Sequence, residues 1–372
     1  MKKKYIGMIL YLGLVFLVLT SGTVPIFGQT ASKSQLMWGP VLGLVTADAA
    51  SIKWKSDSVC QSRFFLDDNP FGTVISTGTF HQITLEGLKE DSSYKYRIEL
   101  VSSAGVTQTQ VFNLTTPKKV LPEWNFVVFG DTRTNDNDHK NVIAAVQKAS
   151  PKPQFVIHTG DFVENGFMPE EWNNFFAIEG ALIRNDSFIG CLGNHDRESP
   201  NFFNMFFNPL SFDKQSLGYY SFNFSNALFI VLDSEVNFQD QAAYLEQILS
   251  KADNTPDLWK FVIWHRGPFS SGSDGGNALL AKVWVPIMEK HHVQCGFYGH
   301  NHLYEHSFAN GVNHVVSGGG GAPLYQINHP NPYSVKAISK LHYMNIHVTS
   351  NELTIQAVTP QGEILDQFKV AK

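Results

Sequence analysis

The residues best suited to chemistry come directly after five short apolar segments of the sequence. Each segment is followed by a polar residue of a type that binds metal ions. In chain order these residues are Asp131, Asp161, the run Asn194-His195-Asp196, His265, and the pair His300 and His302. A single strand-end Asp or His is usually a turn residue or a structural side chain. Five such endings in one part of the chain indicate a common site.

The residue types narrow the chemistry of this site. Aspartate and asparagine oxygens with imidazole nitrogens, and without thiolates, suit ions such as Fe, Mn and Zn. Two neighbouring ions need a bridging ligand, and a carboxylate can bridge them because it has two oxygens. Such a pair polarises phosphoryl oxygens and lowers the pKa of a bound water to about 7. The pattern therefore favours phosphoryl transfer.

The elements that must position these residues alternate between strand and helix after Glu123. This alternation predicts an α/β domain over residues 123–372. Strands are predicted at 126–129, 155–159, 188–192, 228–232, 260–264 and 293–298, with helices between them, for example at 141–148 and 240–251. Ligands of such sheets bind outside the carboxyl ends of the strands. The five sets of polar residues that follow the apolar segments are predicted to lie there.

The part of the chain before this domain has a different pattern. Between residues 34 and 116, short alternating runs are separated by turn residues and show no helical period. Strands are predicted at 51–55, 62–66, 81–85, 94–100 and 107–112. Their regular spacing predicts an all-β sandwich over residues 33–117, followed by a linker at 117–122.

Residues 1–29 have the features of a secretory signal peptide. Lys2, Lys3 and Lys4 precede an apolar run at 5–19, which is shorter than the roughly 20 residues that span a bilayer. An uncleaved N-terminal anchor is the alternative. We expect a protein exported to the periplasm or the medium, with no stable membrane span after cleavage.

Composition limits the partners. The formal net charge is −5, and removal of the three signal-peptide lysines makes it −8. The rest of the chain has no basic run, so nucleic-acid binding is not expected. Three cysteines do not form a disulfide framework, and Cys191 and Cys295 lie in apolar runs that predict burial.

The five sets, taken in order, resemble the five sequence blocks of the calcineurin-like metallophosphoesterases. The blocks include Gly160-Asp161, Gly193-Asn194-His195-Asp196 and Gly299-His300-Asn301-His302. The N-terminal sandwich, in which Trp54, Leu88 and Tyr94 resemble a fibronectin type III pattern, and the glycine-rich loop at 318–323 resemble the purple acid phosphatase branch. The resemblance implies a four-layer αββα sandwich for the second domain.

The resemblance also implies a role for each residue. Asp161 would bridge two ions, Asn194, His265 and His300 would complete the shell of one ion, and Asp131 and His302 would serve the other. His195 would act as a general acid toward the leaving group without binding metal. Asp196 would either orient the His195 ring or simply cap the loop.

Two positions depart from the family pattern. Arg133 occupies the place of a metal-binding His in most members, and Glu164 occupies the place of a Tyr in the purple enzymes. Without the tyrosinate we predict a colourless protein. Arginine has no acceptor and cannot bind a cation, so Arg133 is expected to clamp a substrate phosphate bidentately. Either Glu164, His139 or water would then complete the first ion, or that site is weak.

These features predict an exported dinuclear metallophosphatase. The expected reaction is hydrolysis of phosphate monoesters by metal-bound hydroxide, with His195 assisting the leaving group. The expected cofactors are two Fe, Mn or Zn ions, and the expected partner is a small phosphorylated substrate. A phosphodiesterase with the same site is one alternative. A non-hydrolytic binding protein with a degenerate metal site is the other.

Overall fold

The computed structural model describes residues 32–206, 218–236, 238–255 and 257–372. The predicted signal peptide lies outside these residues. Lys33–Lys372 form one compact unit. None of the helices in the described ranges has the length and hydrophobicity that crossing a membrane requires. Cys60, Cys191 and Cys295 are all free and buried, which confirms the predicted burial of the latter two.

The N-terminal part is a β-sandwich of two antiparallel sheets. Its strands are β1 (Leu36–Val45), β2 (Ala49–Ser56), β3 (Gln61–Leu66), β4 (Asn69–Pro70), β5 (Ile75–Thr77), β6 (Phe80–Glu86), β7 (Ser92–Ser102), β8 (Gly105–Gln108) and β9 (Phe112–Thr116). One sheet has the order β1-β2-β6-β5, and the other has the order β4-β3-β7-β8 with β9 also paired to β7. The strand predicted at 107–112 is wrong, because β8 ends at Gln108 and β9 begins at Phe112.

Alternating side chains of both sheets meet in an apolar core. Trp54 is fully buried there, with its ring centre 6.4 Å from that of Phe64, and Ile98 and Leu100 belong to the same core. Tyr94 lies at the edge, where its hydroxyl accepts a 2.7 Å hydrogen bond from the backbone N–H of Lys89. The period-two burial along β6 and β7 explains why these strands were visible in the sequence.

The remaining chain builds two mixed sheets with helices between the strands. The elements are β10 (Glu123–Phe129), α1 (Asp136–Val146), β11 (Phe155–His158), α2 (Pro169–Ile183), β12 (Ser187–Gly190), α3 (Pro200–Phe206), β13 (Tyr220–Phe224), β14 (Ala227–Val231), α4 (Phe238–Ala252), β15 (Trp259–Arg266), α5 (Ala278–Val283), α6 (Val285–Lys290), β16 (Cys295–Gly299), β17 (Tyr304–Ala309), β18 (Val312–Ser317), β19 (Ser334–Ile338), β20 (Tyr343–Thr349), β21 (Glu352–Val358) and β22 (Ile364–Ala371). The strand orders are β12-β11-β10-β20-β21-β22 and β13-β14-β15-β16-β18-β17-β19.

These elements form four layers. An aromatic core lies between the sheets, where Phe126 of β10 stacks on Phe155 of β11 at 5.4 Å and meets Phe261 of β15 edge-on. The outer face of the first sheet packs on α1, α2 and α3, and the outer face of the second packs on α4, α5 and α6. The expected αββα sandwich is therefore confirmed.

The β-sandwich packs directly on the first sheet's side of this domain. Trp38 of β1 is buried beside Phe176 of α2 and donates a 2.6 Å hydrogen bond to Asn173. The Tyr96 hydroxyl of β7 donates to the carbonyl of Arg184 at 2.7 Å. These buried polar and aromatic contacts fix one part against the other within the compact unit.

Candidate metal centre

The predicted site residues lie at or just beyond the carboxyl ends of strands in both sheets, with His265 as the penultimate residue of β15. β10 and β11 lead into Asp131 and Asp161, whose backbone φ values of 59° and 58° turn the chain sharply at the strand ends. Glycine is required nearby, because a Cβ on Gly193 would overlap the backbone nitrogen of Asp161. The tight loops bring the side chains of separate strands together.

Three of the predicted ligands converge on one point. His265 Nε2 lies 3.1 Å from Asn194 Oδ1 and 3.3 Å from Asp161 Oδ1. His265 Nδ1 donates to the carbonyl of Thr159 at 2.9 Å, so the ring presents Nε2 to the two oxygens. Ligand atoms about 2.1 Å from one tetrahedral ion lie about 3.4 Å apart, which matches these spacings. Asp161, Asn194 and His265 therefore fit a shared metal ion.

The electrostatics of this corner favour a positive charge. Burial by itself lowers the pKa of His265, but the nearby carboxylates of Asp161 and Asp131 outweigh it and raise the pKa to about 10. Burial also opposes ionisation of Asp161, yet His265 and the backbone N–H of His195 hold its pKa below the usual range. The negative charge of these carboxylates would stabilise either a proton or a metal ion at His265 Nε2.

His300 lies beside this group and has a different partner. Its ring centre is 5.2 Å from that of His265, and its Nε2 accepts a 2.8 Å hydrogen bond from Arg266 Nη1. Burial lowers the pKa of His300 to about 2, so the ring is neutral. A neutral ring whose Nε2 accepts carries its proton on Nδ1, so His300 can bind an ion through Nδ1 only in the other tautomer, with Nε2–H directed to Asp274 Oδ2, 3.5 Å away.

Asp131 and His302, predicted for the other ion, are also close to each other. His302 Nε2 lies 3.6 Å from Asp131 Oδ1, and His302 Nδ1 donates to the carbonyl of Pro323 at 2.7 Å. Both oxygens of Asp131 accept from the backbone N–H of His300. Burial raises the pKa of Asp131 and lowers that of His302 to about 4.

Arg133 is drawn into the centre rather than directed to an open substrate position. Its Nε lies 3.3 Å from Asp161 Oδ2, its Nη1 contacts the Glu164 carboxylate and lies 3.3 Å from Thr134 Oγ1, and its Nη2 lies 3.5 Å from His302 Nε2. Four of the five guanidinium N–H groups are thereby directed to protein atoms. The expected bidentate phosphate clamp stays a prediction; it needs two free N–H groups, and this arrangement leaves one.

The two candidates for an extra ligand are occupied elsewhere. Glu164 accepts from Arg133 and, at 2.8 Å, from the hydroxyl of Thr134. His139 is buried in α1 and its Nε2 is 2.9 Å from the equally buried Glu179. Each side chain thus has another polar partner here, and their roles as an extra metal ligand stay predictions.

His195 and Asp196 have separate environments. His195 Nδ1 donates to the carbonyl of Glu164 at 2.8 Å and lies 3.4 Å from Glu164 Oε1, with about a fifth of the side chain exposed. The Asp196 carboxylate is fully buried and accepts backbone N–H groups from Asp161, Phe162 and Gly193 at 3.0, 3.0 and 2.8 Å. Asp196 therefore caps the loops, Glu164 is the residue that contacts the His195 ring here, and the alternative that Asp196 orients that ring stays a prediction.

Sequence reasoning did not include Arg266, Glu235 and Asp274 in the site. Arg266 Nε lies 3.0 and 3.1 Å from the two oxygens of Glu235, and Asp274 Oδ2 is 3.5 Å from His300 Nε2. A signal was present, because the strand predicted at 228–232 also ends in polar residues, Asp233-Ser234-Glu235. Arg266 directly follows His265 in the sequence.

The fold and the converging carboxylate, amide and imidazole groups define a metallophosphoesterase-type site. Residues 125–304 match the family model described as calcineurin-like phosphoesterase. The family has a dinuclear metal centre, and Asp131, Asp161 and His265 form a buried group here whose ligand atoms all lie within 4.8 Å of one another.

More particular similarities point to the purple acid phosphatases. A purple acid phosphatase from yellow lupin (Lupinus luteus) seeds matches with a TM-score of 0.73 and 18% identity over 89% of this chain and 74% of that chain. A probable inactive purple acid phosphatase 1 of Arabidopsis thaliana is 23% identical over 79% of this chain and 58% of its own length. A nucleotide pyrophosphatase/phosphodiesterase of Hordeum vulgare is 25% identical over 53% of this chain and 68% of its own length. The chain thus spans little more than half of the Arabidopsis relative.

Proposed function

We propose that this protein is an exported metal-dependent phosphoesterase that hydrolyses small phosphate monoesters. The convergence of Asp161 Oδ1, Asn194 Oδ1 and His265 Nε2 carries the proposal, because these atoms have the spacing of ligands on one ion. Fe, Mn and Zn are the ions that suit this donor set. Export rests on the signal-peptide features of residues 1–29.

An ion at this position would polarise a phosphoryl oxygen and lower the pKa of water, which is the chemistry that phosphate ester hydrolysis needs. The protein's own contribution includes His195 at the edge of the site. Because its Nδ1 donates to the Glu164 carbonyl, Nε2 is the nitrogen left to carry a proton to the leaving group. The Glu164 carboxylate lies 3.4 Å from His195 Nδ1, on the side of the ring away from Nε2.

Hydrolysis assays on metal-loaded protein test this proposal. We expect the purified mature protein to hydrolyse a chromogenic phosphate monoester, and Asp161→Ala to lose both turnover and bound metal. Asp67→Ala, which removes an exposed carboxylate of the β-sandwich, is the matched control and should retain both. Absence of Asp161-dependent turnover with every metal tried would refute the enzyme proposal.

A phosphodiesterase is the second candidate function, because the similar Hordeum vulgare protein is named as a nucleotide pyrophosphatase/phosphodiesterase. A chromogenic diester run beside the monoester distinguishes the two, because the candidates predict opposite ratios of kcat/KM. The Arabidopsis relative named as inactive, together with the engagement of Arg133 in the centre, supports a non-hydrolytic metal-binding protein as the candidate of another class. Bound metal without turnover of either ester would favour that candidate.

A further inference from the structure

Arg133 contacts the residues expected to surround the first ion. Its three guanidinium nitrogens face three different groups: Asp161 Oδ2 at 3.3 Å, His302 Nε2 at 3.5 Å, and the carboxylate of Glu164. The first group is the predicted bridge, the second is a predicted first-ion ligand, and the third was a candidate to complete that ion. The side chain is 12% exposed, so the guanidinium is enclosed by these groups.

We propose that the Arg133 guanidinium replaces the first ion, so that the centre holds one metal ion on Asp161, Asn194, His265 and His300. The inference rests on the proposed metal dependence and specifies its stoichiometry. The guanidinium is a permanent cation and has no lone pair to offer an ion. It satisfies the acceptors at Asp161 Oδ2 and His302 Nε2 that a first ion would otherwise bind.

The surrounding groups hold Arg133 in this position. Glu164 accepts from both Arg133 and Thr134, and Thr134 Oγ1 is itself 3.3 Å from Arg133 Nη1. His302 is kept as a neutral acceptor, because its Nδ1 donates to Pro323 and leaves Nε2 toward the guanidinium. A second cation between the same acceptors would face a like charge at close range.

The position of the second ion differs from that of the first, although an arginine also approaches it. We use the term second position for the place that Asp161, Asn194, His265 and His300 surround. Arg266 contacts a single predicted ligand, His300, through Nε2, and its own charge is paired with Glu235. Asp161 uses Oδ2 toward Arg133 and presents Oδ1 to His265. The atoms that converge at the second position therefore remain directed to one another.

Metal counting on the full-length mature protein tests the proposal. The protein is saturated with Mn²⁺ in one sample and with Zn²⁺ in another, and each sample is desalted. Bound metal is measured by elemental analysis, and the Mn²⁺ form is also measured by electron paramagnetic resonance. We expect about one ion per chain and an uncoupled Mn²⁺ spectrum for the wild type. Arg133→His supplies a neutral ligand and removes the cation. In this variant the bound metal per chain should therefore rise about twofold, and the Mn²⁺ spectrum should show a coupled pair of ions.

Two control variants test whether the extra metal bound by Arg133→His comes from removing the charge at this position rather than from adding a histidine anywhere in the protein. Arg133→Lys keeps the charge and should stay at the wild-type stoichiometry, and Arg63→His adds a histidine at an exposed site and should do the same. Thermal unfolding confirms that each variant is folded. Two ions in the wild type, or a folded Arg133→His variant with unchanged stoichiometry, would overturn the proposal.

The ester assays make the two proposals separable. Two ions with Asp161-dependent turnover would refute the replacement and leave the phosphoesterase function intact. One ion with no turnover of any ester would refute the function and leave the replacement intact. No bound ion under any loading condition would refute both.

Discussion

Replacing Asp196 with asparagine tests its role as the residue that caps the site loops. The carboxylate is fully buried, with Oδ2 accepting from Asp161 and Gly193 and Oδ1 accepting from Phe162. An amide can keep only one of these oxygens. Even in the better orientation, its NH₂ group faces the Phe162 N–H, so one bond is lost and a buried donor is left without an acceptor.

The size of the effect follows from these contacts. Leaving a buried donor without its partner costs about 1–3 kcal/mol, and more where the lost partner is charged, so we expect a loss of about 2–4 kcal/mol. For a unit the size of Lys33–Lys372, the unfolding entropy is about 0.7 kcal/mol per kelvin, which converts this loss to about 3–6 °C in Tm. Metal affinity should also fall, because Asp196 holds the backbone of Asp161.

Calorimetry and metal titration of Asp196→Asn measure both effects. Asp67→Asn is the matched control, because Asp67 Oδ1 accepts a single backbone N–H, from Lys95 at 2.9 Å, which an amide oxygen can retain. A Tm within about 1 °C of the wild type, with a changed pH profile of turnover, would refute loop capping and restore the alternative that Asp196 orients His195.

Three further predictions address the site, the core and the acid response. His195→Ala should retain the metal measured by elemental analysis but lose about 10²–10⁴ in kcat, and loss of the metal would contradict its assignment. Phe126→Ala should lower the unfolding free energy by about 3–5 kcal/mol in urea titrations, because it opens the core between the sheets, and a loss below about 1 kcal/mol would contradict that packing. Burial lowers the pKa of His314 to about 3, from 6.5 when unfolded, so its contribution is complete above pH 6.5 and is lost as the pH falls toward 3. His314→Gln should therefore reduce the stability lost between pH 7 and pH 5 by about 2 kcal/mol, and an unchanged loss would contradict this.

Much of the fold could be predicted because its signals are local. The strand that carries Phe126 ends in a continuous apolar run at 126–129, as expected for a strand buried on both faces, and the burial of β6 alternates as expected for a half-exposed one. The break between β8 and β9, at 109–111, was missed because the alternation of residue types continues across it. The two strands also pair with the same partner, β7.

Within the candidate site, the sequence located the residues but not their partners. Asp131, Asp161, Asn194, His265, His300 and His302 follow strand ends, and turn chemistry at those ends is readable from neighbouring residues. The tertiary structure alone placed Glu164 beside His195, gave Asp196 its three backbone donors, and brought Arg266 to His300. The choice of partner depends on which loops of the two sheets meet, and buried polar atoms must be satisfied by whatever group lies there.

Arg133 shows the same division most clearly. The sequence determined that a permanent cation without ligand capacity stands two residues after Asp131. Only the tertiary structure decided that this cation turns inward, because the acceptors of Asp161 and Glu164, from the loop after β11, and of His302, from the loop after β16, converge on its three nitrogens. A guanidinium is stabilised where charged acceptors surround it, and that arrangement exists only in the folded chain.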